Sequence, residues 1–357
     1  MNTDRTGQIT IATSIAPGKI EIQQAAIASW QMLGFRVLSV NTEIEINLLK
    51  SSFPQVHFVV AKRDASSSAG KPYIFLDDIL RALKDSGSDV CGIVNSDIHI
   101  ITSDALIDFI AEAARDSFVF GGRIDIMSLQ DLHGEEYLGG FDIFFFDRSV
   151  IGQFPESEMC LGVPWWDYWA PLVMMLKGVT VKQLISPVAY HLLHDTNWNS
   201  KIYDEFGRKM VADVLDKNRF SELDNGLEEA LNKSVSQHDL SAFSIFLLYY
   251  IKQKTDKLSF IDDDSIKNVH VLTINELIHQ QEKLSYYETQ FRQMWKLLTE
   301  RENDRAEKTK IIIKCRLDLE ASEQKITEML NAYSWKITKP LRWLNDKLNR
   351  TKNIHNN

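Results

Sequence analysis

The sequence predicts an α/β protein built on a largely parallel sheet with covered faces. Three observations lead there. A β-branched run, Ile9–Ile15, closes on the turn signal Ala16-Pro17-Gly18. Helical apolar spacings then recur between further apolar runs, and Val90–Val94 reads as a strand buried on both sides. Strands separated by helices of this length imply parallel pairing, which places ligands beyond the carboxyl ends of the strands.

Each element has its own warrant. Ile22, Ala26, Trp30 and Leu33 share one helical face, and Gly34 can cap that helix. Arg36–Val40 and Val56–Val60 read as strands. Leu76, Ile79, Leu80 and Leu83 repeat at i, i+3, i+4, i+7, the signature of an amphipathic helix. Leu106, Phe109, Ile110 and Ala113 make another. From Phe118 to about His194 the texture changes to short strands (Phe118–Phe120, Asp142–Phe146, Val181–Ile185), Gly-rich turns and a tryptophan cluster, which could be a second half of the same domain. Residues 200–275 read as mainly helical. The apolar run Leu240–Ile251 is too short to span a bilayer and reads as a buried helix.

From Leu277 a seven-residue repeat runs through Leu284, Phe291, Leu298, Arg305, Ile312, Leu319 and Ile326 to Tyr333. Its companion positions three residues on are only half apolar, so the expectation is a long helix with an imperfect coiled-coil seam, or else a solvated linker helix. The resulting division is an α/β domain over 1–215, a helical linker over 216–275, a coiled-coil helix over 276–333 and a basic tail over 334–357.

A net charge of −9 argues against general nucleic-acid binding, which needs a basic surface. The average hides a reversal: Ser334–Lys352 carries six Lys/Arg against one Asp, which suggests an anionic surface as partner. Cys91, Cys160 and Cys315 are scattered without a CxxC pair, and the start of the chain is polar. Both features point to a reducing, cytoplasmic setting.

Chemistry is expected first at Asn95-Ser96-Asp97, which follows the buried strand directly. A carboxylate there can hold a divalent cation against a diphosphate, although the triplet would also make a good turn. In extended backbone, Asn95 and Asp97 would project to the same side. In this context the triplet resembles the metal-binding DXD motif of GT-A fold glycosyltransferases, with Asn in place of the first Asp. The resemblance covers about Ile9 to Trp198. It implies a GT-A-like, Rossmann-type mixed sheet and a nucleoside-diphosphate-sugar donor. Thr13 and Ser14 would open the nucleotide pocket, and Asn41 would meet base or ribose. Arg63 and Lys71 would suit phosphate, and Mn²⁺ or Mg²⁺ would sit on Asp97.

Gly139-Gly140-Phe141-Asp142 and Pro164-Trp165-Trp166-Asp167-Tyr168-Trp169 resemble the acceptor side of the same enzymes. The resemblance makes Asp167 the candidate base and Asp142 an orienting group, with the indoles either stacking on sugar or packing in the core. Asp167 could alternatively cap a helix beginning at Tyr168. A late histidine often completes the metal shell in these enzymes. His191 and His194, spaced as on one helix face, are the candidates, against a purely structural pairing. The segment Ser334-Trp335-Lys336-Ile337-Thr338-Lys339-Pro340-Leu341-Arg342 resembles one found in bacterial surface-polysaccharide glycosyltransferases. It turns the expectation toward O-antigen or capsule assembly, a lipid-linked glycan acceptor, a homo-oligomer and peripheral contact with the inner membrane face. A catalytically degenerate scaffold is the alternative. A sugar-phosphate nucleotidyltransferase is disfavoured, because no GxGxR-like loop follows the first strand.

Overall fold

Alternation of side chains along the buried strands feeds two separate cores, and the sheet between them organises the fold. In this computed structural model, residues 9–194, 200–220, 223–237 and 240–260 are described, together with Lys314, Lys325, Thr327 and Glu328. One compact unit runs to Asn268. In the second unit, Lys314, Lys325, Thr327 and Glu328 are helical. The rest of the seven-residue repeat and the basic tail lie outside the described residues.

The chain enters through β1 (Thr10–Thr13), α1 (Ile20–Leu33), β2 (Arg36–Asn41), α2 (Glu43–Leu49) and β3 (His57–Val60). It continues through α3 (Ser66–Ala69), α4 (Leu76–Ser86), β4 (Val90–Val94), β5 (Ile98–Ile100) and α5 (Ala105–Ala113). Then come β6 (Ser117–Gly121), β7 (Ile124–Ser128), β8 (Asp131–Glu136), β9 (Ile143–Asp147) and α6 (Trp166–Leu176). The described part of the unit closes with β10 (Thr180–Leu184), β11 (Ala189–Leu192), α7 (Ser200–Leu215), α8 (Asn225–Gln237), α9 (Leu240–Lys254) and β12 (Asp256–Leu258).

Eight strands form the main sheet in the order β12-β10-β6-β9-β4-β1-β2-β3. Every neighbouring pair is parallel except the two made by β9, which runs against both β4 and β6. This reversal matters for the site. The start of β9 lies at the same sheet edge as the ends of its neighbours, with Ile143 opposite both Val94 and Gly121. A second sheet, β5-β11-β7-β8, stands beyond that edge.

The strand Ile143–Asp147 illustrates why the main sheet is covered on both sides. Phe144 and Phe146 join one core with α4 and α6, while Ile143 and Phe145 join the other with α1 and α5. Burial of each such ring contributes about 2–3 kcal/mol. Gly92, opposite Phe145, admits that ring: a Cβ there would lie 2.8 Å from Phe145 Cδ1. The first core continues through Val214, Phe220, Leu227, Phe243, Leu247 and Ile251, so helices α7–α9 pack on the same side of the sheet as α6.

Several expected elements appear with shifted ends. Gly34 caps α1 in the left-handed region, its N–H bonding Gln31 O and Trp30 O. Sequence reading missed α2, whose Thr42 and Glu45 form a complete capping box. It also missed the second sheet and β12, which lies within a stretch read as mainly helical.

Candidate functional site

Topology collects the site from segments distant in sequence. Asn95 follows β4, Arg123 follows β6, and Asp142 precedes the reversed β9, so all three meet at one sheet edge. Asn95 Nδ2 donates to Asp142 Oδ1 at 3.1 Å, and Arg123 Nη1 donates to the same oxygen at 2.9 Å. Arg123 Nε donates to Asp125 Oδ1 at 2.8 Å, and the guanidinium lies 3.9 Å from the Tyr137 ring centre.

The second sheet carries the other half. β11 pairs His191 with Asp125 on β7 and with Ile98 on β5, immediately after Asp97. His191 Nδ1 lies 3.0 Å from Asp125 Oδ1. With a carboxylate accepting there, the Nδ1–H tautomer is favoured and the Nε2 lone pair points inward. His191 Nε2 lies 3.2 Å from His194 Nε2, which lies 3.1 Å from Asp97 Oδ2, and His191 Nε2 is 3.7 Å from that oxygen. Donors about 2.1 Å from a common ion, at angles of about 90–110°, would stand about 3.0–3.5 Å apart. Asp97, His191 and His194 therefore fit a divalent cation, by ligand chemistry as well as spacing. Burial pushes Asp97 up, but the two imidazoles more than reverse this and hold it well below the usual carboxylate range.

Two geometric premises are corrected. Asn95-Ser96-Asp97 is a turn rather than an extended run, with Ile98 N–H bonding Asn95 O at 3.1 Å. The turn sends Asn95 to Asp142 and Asp97 to the histidines. His191 lies in strand β11 with His194 just beyond its end, so an extended segment rather than a helical face carries the two imidazoles.

Asp167 sits in the first turn of α6, where its Oδ2 accepts from Phe141 N–H at 3.2 Å. Burial, then the neighbouring Asp142 charge, push its pKa up to about 7. Gly140 is required beside it: its φ is +154°, and a Cβ would lie 1.9 Å from Asp167 Oδ2. Asp142 is 3% exposed, and burial raises its pKa against the pull of Arg123. Its Oδ2 is buried with no hydrogen-bond partner among the described residues.

Of the two readings of the indoles, core packing is the one observed: Trp165, Trp166 and Trp169 are at most 2% exposed. Trp165 also adopts a left-handed backbone, φ 85°, which costs a non-glycine residue about 1–3 kcal/mol. Its Nε1–H bonds Tyr203 O at 2.8 Å, and its ring stacks on Phe243. Packing against α7 and α9 thus holds the strained turn that launches α6 and Asp167.

The expected nucleotide residues divide into two groups. Asn41 is buried, accepting from Ser39 Oγ at 2.6 Å and donating to Ile15 O at 2.8 Å and Glu45 Oε2 at 3.2 Å. Its Nδ2 also lies 3.4 Å from Ser14 Oγ. Thr13 Oγ1 is buried without a hydrogen-bond partner among the described residues. Ser96 Oγ donates to Gln23 Oε1 at 2.7 Å, and Gln23 grips Ala16, linking the segment after β1 to the turn after β4. Arg63 instead pairs with Asp77 at 2.8 Å and reaches Ser157 O, while Lys71 is exposed in the turn before Pro72. Arg123, Asp125, Tyr137 and Gln23 were not anticipated. The available signal was Gly121-Gly122-Arg123-Ile124-Asp125, polar groups directly after a buried strand.

No protein-family model matches the chain, and no curated relative matches it. Among solved structures it is similar to a nucleotide-diphospho-sugar transferase from Desulfovibrio desulfuricans G20, at 14% identity and TM-score 0.33, over 71% of this chain and 99% of that one. It is similar to the mannosyltransferase PcManGT from Pyrobaculum calidifontis, solved with GDP-Man and Mn²⁺, at 10% identity and TM-score 0.38, over 80% and 82%. Glucosyl-3-phosphoglycerate synthase from Mycobacterium tuberculosis, solved with Mn²⁺ and UDP, gives 14% identity and TM-score 0.38, over 62% and 82%. Likeness at these values carries no argument about activity.

Proposed function

We propose that the chain is a glycosyltransferase that moves a sugar from a nucleoside-diphosphate donor to a growing bacterial surface glycan. One observation carries the reading: a cation-competent Asp97–His191–His194 triad stands at the same sheet edge as the buried Asp142 and the elevated Asp167. A divalent cation on the triad would offset the charge of a departing diphosphate. Asp97 supplies the anionic ligand, and the histidines complete a site that Asp125 orients. Asp142, with one oxygen bound by Asn95 and Arg123, turns its other oxygen to a sugar hydroxyl. Asp167, poised near 7, takes the proton from the acceptor hydroxyl as it attacks. Thr13, Ser14 and Asn41 would form or brace the nucleoside pocket; Lys71, exposed before Pro72, would suit phosphate, and Arg63 would do so only on leaving Asp77.

A thermal-shift panel of nucleotide sugars with and without Mn²⁺, followed by transfer assays, tests this reading. A selective, Mn²⁺-dependent shift and sugar transfer are expected. Equal shifts for every sugar nucleotide, with no transfer, would overturn it.

For the C-terminal segment, the seven-residue repeat supports homo-oligomerisation, and the basic, Trp-bearing tail supports peripheral contact with anionic lipid at the cytoplasmic face. A lipid-linked glycan acceptor, as in O-antigen or capsule assembly, suits that placement.

A further inference from the structure

Arg123 occupies a position that neither the metal triad nor the acid–base pair explains alone. Its Nε binds Asp125 at 2.8 Å and its Nη1 binds Asp142 at 2.9 Å. Asp125 in turn holds His191 Nδ1 at 3.0 Å, and Asp142 holds Asn95 and abuts Asp167 electrostatically. One guanidinium therefore joins a carboxylate that orients a metal ligand to a carboxylate at the acceptor side. It is 16% exposed, covered by the Tyr137 ring, and Tyr137 N–H bonds Arg123 O at 3.0 Å. Asp142 N–H bonds Gly121 O at 3.0 Å, so the segments bearing Tyr137 and Asp142 are stitched to the one bearing Arg123.

We propose that Arg123 is a positioning residue that assembles the metal centre and the acceptor-side carboxylate as one unit. The proposal rests on the glycosyltransferase reading above. The planar fork is what permits it, because two donors fixed in one plane can serve two carboxylates at once. A lysine keeps the charge and has donors enough for two partners, but it lacks the planar fork, so it relaxes the geometry of both carboxylates even where it still bonds them. The Asp125 arm acts on metal affinity through the His191 tautomer. The Asp142 arm acts on the chemical step after the metal has bound.

Both arms are separable in the full-length protein. Arg123→Lys and Arg123→Gln should each weaken Mn²⁺ binding, read by calorimetry, by about 10- to 100-fold, the usual effect of losing an outer-shell partner. Asp125→Asn should do the same. At saturating Mn²⁺, Asp125→Asn should recover kcat, whereas Arg123→Lys should stay at least about tenfold below wild type. The ¹⁵N shifts of His191 in metal-free protein should report one Nδ1–H tautomer in wild type and a mixture in both Arg123 variants. Unchanged Mn²⁺ affinity in both Arg123 variants would overturn the proposal, as would full recovery of Arg123→Lys by excess Mn²⁺. If wild type transfers no sugar, the enzymatic reading fails separately. The His191 tautomer and the ¹³C carboxyl shift of Asp142 then decide the two arms: a change at both in Arg123→Lys supports the bridge, and a change at one or neither overturns it.

Discussion

Asp167 shows how one side chain can couple stability to chemistry. Burial and the Asp142 charge lift its pKa from 3.8 to about 7. A carboxyl raised on folding costs nothing while both states are protonated, below about pH 4. The cost accumulates as pH rises from about 4 through the folded value near 7 and levels off above it, so the protein is destabilised by this group at neutral and alkaline pH. Asp167→Asn should therefore gain stability relative to wild type at pH 8 but not at pH 4, as compared by thermal unfolding. The same substitution should lower transfer by about 10²-fold or more and remove a rate limb that rises through pH 7, with donor affinity nearly unchanged. Transfer equal to wild type would leave the residue as a helix-end anchor for Phe141 N–H. Asp97→Ala should abolish Mn²⁺ binding seen by calorimetry, while circular dichroism shows the metal-free protein still folded. Retained Mn²⁺ affinity would remove Asp97 from the ligand set.

At the scale of elements, Gly140→Ala asks whether the β8–β9 connection places Asp167. The added methyl would collide with Asp167 Oδ2, so activity should fall toward that of Asp167→Asn while the sheet survives. Near-wild-type transfer would mean that the loop yields freely. Phe145→Ala, in the reversed strand, should instead cost about 3–5 kcal/mol in chemical denaturation, because it empties a core facing α1 and α5. The sequence displayed β4 residue for residue, since Val90–Val94 is apolar from end to end between turn residues. It also displayed the periodic helices α1, α4 and α5. It did not display the direction of β9, because a strand buried on both faces reads alike in either sense. Asp97, His191 and His194 were each conspicuous as residue types beside strand ends. Their convergence depends on the turn at Asn95 and on β11 pairing with both β5 and β7, and no local pattern encodes that. Arg123 and Asp125 escaped for the same reason: they pair with each other, but the groups they join, Asp142 and His191, lie in other segments of the chain.

For the whole molecule, the compact unit ending at Asn268 allows the catalytic reading to be separated from the assembly reading. A chain shortened after residue 268 should bind donor and Mn²⁺ like the full chain but sediment as a monomer and ignore anionic vesicles at low salt. If full-length protein is also monomeric at micromolar concentration and leaves vesicles unbound, the C-terminal segment is a solvated extension. The edge strand β12 has a different consequence, one of timing. It pairs with β10 across 74 residues of sequence, as in Lys182 opposite Asp256, and it follows helices that brace Trp165. During synthesis at about 5–20 residues per second, the main sheet gains this edge only after all the proposed site residues have emerged. A nascent chain arrested just past His194 carries every one of these acids and histidines without the scaffold that offsets their burial. Such a chain should be cut readily by protease and should bind no Mn²⁺, and a chain with residue 268 clear of the exit tunnel should do the reverse.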